Sequence, residues 1–173
     1  EFQRMGQNLT LARYPIHCHL IGDAKGQYIR NAAIHDTYNR CVTVHGTNFL
    51  RVENNVTYNT VGHCFFLEDG IETGNEYIRN LAIQTKCHTS KPCDPTNLAP
   101  FGATAGTNFN TTGQDSKDVL IPSDNTVSSF WITNPDNTYR DNVAAGSDAT
   151  GFWFAFPEHP TGKFEGTEIS RAT

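Results

Sequence analysis

The sequence predicts an all-β fold, a right-handed parallel β-helix with one long loop inserted between coils. The first ground is self-similarity. Asparagine-centred segments, Tyr28-Ile29-Arg30-Asn31, Arg51-Val52-Glu53-Asn54 and Tyr77-Ile78-Arg79-Asn80, recur with 23 and then 26 residues between asparagines, and Arg140-Asp141-Asn142-Val143 supplies a fourth copy. A repeat of that length is a unit that buries its apolar face only by stacking on the next one. The second ground is register: 10 residues beyond Asn31, Asn54 and Asn142 stand Cys41, Cys64 and Phe152, each opening a β-rich run, so every coil holds at least two strands. The third is composition. Hydrophobic residues make up 37% of the 173, with 14 glycines and 8 prolines for turns, as suits coils that each keep one face in water.

In chain order, alternation in Ile16-His17-Cys18-His19, Val42-Thr43-Val44-His45 and Phe65-Phe66-Leu67-Glu68 sends Ile16, Cys18, Val42, Val44, Phe65 and Leu67 to the core. The opposite face then carries two columns of stacked side chains about 4.8 Å apart. One runs His19, His45, Glu68 and on to Thr133; the other runs His17, Thr43, Phe66 and on to Trp131. Asn31, Asn54, Asn80 and Asn142 are expected at one turn position, where stacked amides bond from coil to coil. Before them Arg30, Glu53, Arg79 and Asp141 alternate in charge and read as a surface ladder. Residues from about 84 to 125 break the pattern and form the inserted loop, placed to wall a binding face or to serve no such role. All of 1–173 reads as a single β-helix segment of a longer protein, opening at Glu1-Phe2-Gln3 in mid-strand.

A net charge of −5 argues against a nucleic-acid partner, and no apolar run is long enough to span a membrane. Asn8, Asn55 and Asn110 each stand in an N-x-T glycosylation sequon, which points to an extracellular protein, secreted or on a cell-surface ectodomain. Cys87 and Cys93 bracket a proline-containing loop and could pair in an oxidising compartment. Cys41 and Cys64, sharing a register position, are expected as stacked thiols rather than a bridge, and Cys18 has no evident partner.

The outer columns carry the chemistry. His17 and His19 at i and i+2 point the same way, with His45 one coil away, a set of nitrogens suited to a divalent ion, zinc first by ligand type. Hydrogen bonding to a sugar and plain structural stacking remain open for the same three rings. Glu68 would act as general acid or base, supported by Asp69 or Asp23, although Asp69-Gly70 also reads as a turn. Phe66 and Trp131 could stack on sugar rings unless the insertion covers them. Arg40 and His63, with Tyr14 before them, mark a corner that either flanks this groove and binds substrate or satisfies turn carbonyls. His35, His88 and His159 have no partners by spacing and read as surface residues.

The runs Arg13-Tyr14-Pro15-Ile16-His17-Cys18-His19, Arg40-Cys41-Val42-Thr43-Val44-His45-Gly46-Thr47 and Gly62-His63-Cys64-Phe65-Phe66-Leu67-Glu68-Asp69-Gly70 resemble the parallel β-helix of the cell-surface hyaluronidase family, to which fibrocystin-type coils are related. The likeness continues through Phe130-Trp131, Asn134-Pro135-Asp136-Asn137 and Gly151-Phe152-Trp153-Phe154 to Pro160-Thr161-Gly162. It implies a glycosaminoglycan hydrolase of the hyaluronidase type. The other class the sequence admits is a non-catalytic extracellular β-helix that binds glycans or assembles into fibres, either with flanking coils of its own protein or with itself. The acidic balance disfavours a polyanion such as hyaluronan unless Arg13, Arg40 and nearby lysines concentrate positive charge locally.

Overall fold

The computed structural model of the chain describes residues 1–89, 93, 127–157 and 159–168. Each coil contributes three short strands. The first coil holds β2 (Ile16–Asp23), β3 (Tyr28–Arg30) and β4 (Ala33–His35); the second β5 (Val42–Asn48), β6 (Arg51–Glu53) and β7 (Val56–Val61). The third holds β8 (Phe65–Leu67), β9 (Glu76–Ile78) and β10 (Leu81–Lys86), and the fourth β11 (Ser128–Ile132), β12 (Thr138–Arg140) and β13 (Val143–Ser147). A short β1 (Phe2–Gln3) precedes them and β14 (Thr150–Phe154) follows. Equivalent strands stack in parallel into three sheets, ordered β1-β4-β7-β10-β13, β14-β11-β8-β5-β2 and β12-β9-β6-β3. The parallel β-helix is thus present, with three strands per coil where the repeat alone indicated at least two.

Stacking in register makes columns of like side chains inside the tube. Val42, Val44, Phe65 and Leu67 are buried, with Ile16 and Cys18 packed against them, as the alternation required. Phe65, Phe130 and Phe152 stack with ring centroids 4.9 and 4.6 Å apart, and Tyr77 lies 4.6 Å from Tyr139. Strand spacing and ring thickness reinforce each other here, since offset rings one strand apart sit near their favoured separation.

The asparagine ladder exists but runs one residue away from its expected register. Asn31, Asn54, Arg79 and Asp141 share the left-handed turn position, with φ of 55°, 52°, 52° and 57°. The ladder is the next position: Asn55 Nδ2 donates to Asn80 Oδ1 (2.9 Å), Asn80 Nδ2 donates to Asn142 Oδ1 (3.0 Å), and Asn55 Oδ1 accepts from the Ala32 N–H (3.0 Å). The tandem Asn54-Asn55 made the repeat ambiguous by one. The same slip moves Phe152 from the cysteine position to the Phe65 column. It also removes the alternating charge ladder, because Arg30 and Glu53 are followed by Ile78 and Arg140. Glu53 is instead paired by Arg51 and by Arg79. A second ladder, unforeseen, links Asn75 to Asn137 at 3.0 Å.

Cys87 and Cys93 are bridged, as expected. Cys41 and Cys64 are bridged too, against expectation. Identical register in adjacent coils sets their Cα atoms 4.5 Å apart, inside the range a disulfide spans, so shared position favours the bond rather than opposing it. Its 23-residue separation implies that a Cys41→Ser, Cys64→Ser double variant loses about 3 kcal/mol in urea unfolding. A loss below about 1 kcal/mol would show that the bond is structurally idle.

The insertion begins later than the composition suggested, because β10 carries Gln84 and Thr85 in strand and runs to Lys86. Among the described residues no helix is long and apolar enough to cross a membrane.

Candidate functional site

The sheet of β2, β5, β8, β11 and β14 turns its outer face away from the core, and its register brings the foreseen columns together. His17 pairs with Thr43 and Thr43 with Phe66, His19 pairs with His45, and Phe66 pairs with Trp131. One ring nitrogen from each of His17, His19 and His45 lies within 4.8 Å of the others. Their ring centroids are 4.8 to 5.9 Å apart.

Hydrogen bonds decide which nitrogen each ring offers. His17 Nδ1 lies 3.2 Å from the Ala12 carbonyl oxygen, which only accepts, so Nδ1 carries the proton and Nε2 keeps its lone pair. His45 Nε2 lies 2.7 Å from Asp69 Oδ2 and donates to it, which leaves Nδ1 as the open nitrogen of a neutral ring. Both open nitrogens face one atom, Glu68 Oε2, at 3.9 Å from His17 and 3.7 Å from His45. Among the described residues His17 Nε2 is buried without a hydrogen-bond partner. An imidazole whose far nitrogen is held by a carbonyl or carboxylate is the usual posture of a metal ligand.

Electrostatics separate the two rings. Burial, then the neighbouring His19, His45 and Arg40, lowers His17 to about 4 against the pull of the Ala12 bond, so it stays neutral at physiological pH. For His45 burial acts downward, but the Asp69 bond and the charges of Glu68, Asp69 and Glu72 outweigh it and raise the ring.

Sequence reasoning missed the floor beneath these groups. Glu72 is fully buried and accepts from the N–H groups of Gly46 (2.8 Å), Asp69 (3.2 Å) and Gly70 (2.9 Å), locking the strand ends that carry His45 and Asp69. Its only sequence signal is an acid two residues beyond the Asp69-Gly70 turn. Burial pushes Glu72 from 4.5 to about 7, against the pull of backbone donors that include those of Gly46 and Asp69. The folded state therefore holds this proton after the unfolded chain has released it, so this group lowers stability as pH rises from about 4.5 to 7. A Glu72→Gln variant is expected to gain up to about 3 kcal/mol relative to the parent across that window, over a constant cost for the altered acceptor. Parallel urea stability profiles for the two proteins would refute it.

A strap after β14 closes one side. The Thr161 N–H donates to the Asp69 carbonyl oxygen at 3.0 Å, and Gly162, at φ 61°, lies so near that an added Cβ would stand 2.6 Å from Asp69 Oδ1. Only glycine lets the strap sit there. Phe164 then meets His45 edge-on at 6.4 Å. Pro160-Thr161-Gly162 was visible as part of the resemblance, without a role.

Other expected site residues lie elsewhere or deeper. Phe66 and Trp131 are 0% and 1% exposed, packed with Ala155 and Trp153, so neither offers a free face to a sugar. His63 is buried, accepting from the Ser128 N–H at 3.0 Å with its ring 4.5 Å from Trp131. Arg40 is buried as well, donating to Tyr14 Oη at 3.0 Å with its guanidinium 4.0 Å above Phe66. These two form the inner lining of the corner rather than a substrate-contacting rim. Asp23 sits at the far end of β2, beyond a register shift between His19 and Gly22, and accepts from the Lys25 N–H at 2.8 Å in a separate groove. His35, read as partnerless, bonds Glu1 at 2.8 Å and Asp36 at 2.9 Å, whereas His159 is exposed.

Of the sequons, Asn8 is exposed. Asn55 is fully buried with its amide spent in the ladder, which leaves no room for a glycan. Asn110 lies outside the described residues.

The CEMIP β-helix family model matches the chain from residue 1 to 173. The human cell surface hyaluronidase CEMIP2 is 39% identical over 181 residues, covering 98% of this chain and 12% of that protein. The human cell migration-inducing and hyaluronan-binding protein is 42% identical over 173 residues, covering 94% of the chain and 12% of its own length. Human fibrocystin-L is 40% identical over 163 residues, 94% of the chain and 3% of its own length. The chain thus spans 3 to 12% of the length of these relatives.

Proposed function

Because the chain belongs to the CEMIP β-helix family, we propose that it is an extracellular module of a hyaluronidase-like glycosaminoglycan hydrolase, with its chemistry at His17, His19, His45, Glu68 and Asp69. The observation that carries this reading is the aim of His17 Nε2 and His45 Nδ1 at one Glu68 oxygen, each ring anchored from behind. The open nitrogens of His17 and His45, with His19 beside them, suit a divalent ion, zinc first by ligand type, and Glu68 stands next to that place. When bound, such an ion supplies Lewis-acid polarisation of a water or a glycosidic oxygen.

The chain's own residues do the rest. Asp69 orients His45 and fixes its tautomer. Glu68, close to the imidazoles, moves a proton to or from the scissile oxygen. Asp23 has no part in this reading, since it stands in another groove. Two disulfides agree with an oxidising, extracellular setting.

A non-catalytic glycan-binding or fibre-forming module is the second reading. It is favoured by the depth of the carboxylates: Glu68 and Asp69 are both buried, and of the cluster only His19 is well exposed. Because the matched relatives are far longer, the test uses the intact protein: metal content by mass spectrometry, then depolymerisation of hyaluronan and chondroitin with and without chelator. Chelator-sensitive cleavage supports the hydrolase. Tight glycan binding with no cleavage of either polymer supports the binding module.

A further inference from the structure

A second groove, of about 670 Å³, opens where the sheet of β3, β6, β9 and β12 meets the ends of β2 and β5, and no role has been assigned to it. Its rim carries two exposed aromatic rings, Tyr28 at 55% and Phe49 at 51%. Phe49 holds φ at 60°, a backbone conformation unfavourable for a bulky residue. Its ring lies over Gly74 so closely that a Cβ there would come within 2.5 Å of Phe49 Cδ1. An outward phenyl held at such a φ over a glycine is retained at a cost in backbone energy.

Charge gives the ligand class. The acids Glu53 and Glu76 are neutralised from within the sheet by Arg51, and Glu53 also by Arg79. Asp23 accepts from the Lys25 backbone N–H. Arg30 lays its guanidinium 4.0 Å from the centroid of the Tyr28 ring, and among the described residues no carboxylate pairs with it. Lys25 lines the same groove. A chain of net charge −5 therefore keeps a guanidinium without a carboxylate partner against an exposed aromatic ring at this place. Aromatic faces take the apolar side of a pyranose, and a guanidinium takes a carboxylate in bidentate fashion.

We propose that this groove binds a uronate-containing glycan chain as a subsite separate from the histidine cluster. It rests on the glycosaminoglycan reading and extends it. Asp23 lies four residues past His19 on the shared strand, at most about 13 Å away, so one polymer chain can occupy both places.

The test is calorimetric titration of size-defined hyaluronan oligosaccharides, with uncharged chitin oligosaccharides as control, into the intact protein and its Arg30→Gln, Phe49→Gly and His45→Ala variants. Arg30→Gln is expected to weaken hyaluronan binding about tenfold and to flatten its salt dependence. Phe49→Gly removes backbone strain, so its melting temperature should hold or rise while affinity falls about tenfold. That split distinguishes a ligand platform from a packing residue. His45→Ala should keep the groove's share of affinity. Parental affinity and salt dependence in both groove variants overturn the subsite while leaving the glycosaminoglycan reading intact. Absence of hyaluronan binding to the parent overturns both.

Discussion

A His45→Ala variant of the intact protein is expected to lose about a thousandfold or more in kcat/KM on its glycan, close to 4 kcal/mol of transition-state stabilisation. It should also lose its divalent ion. His45 is the one residue that touches every element of the site: it pairs with His19 across the strands, its Nδ1 faces Glu68 at 3.7 Å, and its Nε2–H is held by Asp69 at 2.7 Å. The ring lies on the outer wall and fills no part of the core, so the melting temperature should fall by only a few degrees. A graded companion tests the orientation argument. Asp69→Asn keeps an acceptor oxygen but removes the charge, and should cost about 10- to 100-fold in activity or metal affinity. Glu68→Gln should lower kcat with the ion still bound. Near-parental turnover and metal content in His45→Ala would end the metal-centred reading, whatever the other variants do.

Asn80→Ala is expected to be the most damaging single change to the fold, lowering stability by about 3 to 5 kcal/mol in urea unfolding. Its buried amide donates to the Val52 carbonyl at 2.9 Å and to Asn142 Oδ1 at 3.0 Å. Its oxygen accepts from the backbone N–H and the side-chain amide of Asn55, at 3.1 and 2.9 Å. Alanine satisfies none of these, and the groups left behind are sealed between coils where water is excluded. Against a total of about 5 to 15 kcal/mol for an ordinary domain, the loss is a large share. Asn142→Ala, at the more exposed end of the ladder, should cost less, about 1 to 2 kcal/mol. Equal costs at the two positions would mean that depth in the stack does not matter. A cost below about 1 kcal/mol at Asn80 would mean that the ladder is ornamental.

Much of the site was legible because parallel stacking maps one residue to one neighbour. Given the repeat, His19 had to meet His45 and Thr43 had to meet Phe66, and they do. The ambiguity of Asn54-Asn55 cost the asparagine ladder one position without harming the histidine face, since that face was set by its own alternating strands. The bridge between Cys41 and Cys64 follows from the same register: equal position implies stacking, and the spacing of stacked strands also brings two sulfurs into bonding range.

What the amino-acid order by itself determined is which side of each strand a residue takes and which residues share a column, because side chains alternate strictly along a strand and stacked strands keep their register. Depth, direction and partner were decided only in three dimensions. Phe66 and Trp131 are sealed in with Ala155, and Asp69 is gripped by Thr161 and Gly162, from a strap some ninety residues on in the chain. Asp23 leaves the cluster beyond a shift in register inside β2, and Glu72 anchors the site from beneath through backbone donors that no periodicity encodes. Contacts of that kind depend on how the tube closes and what folds back across it, and a repeat pattern carries no information about either.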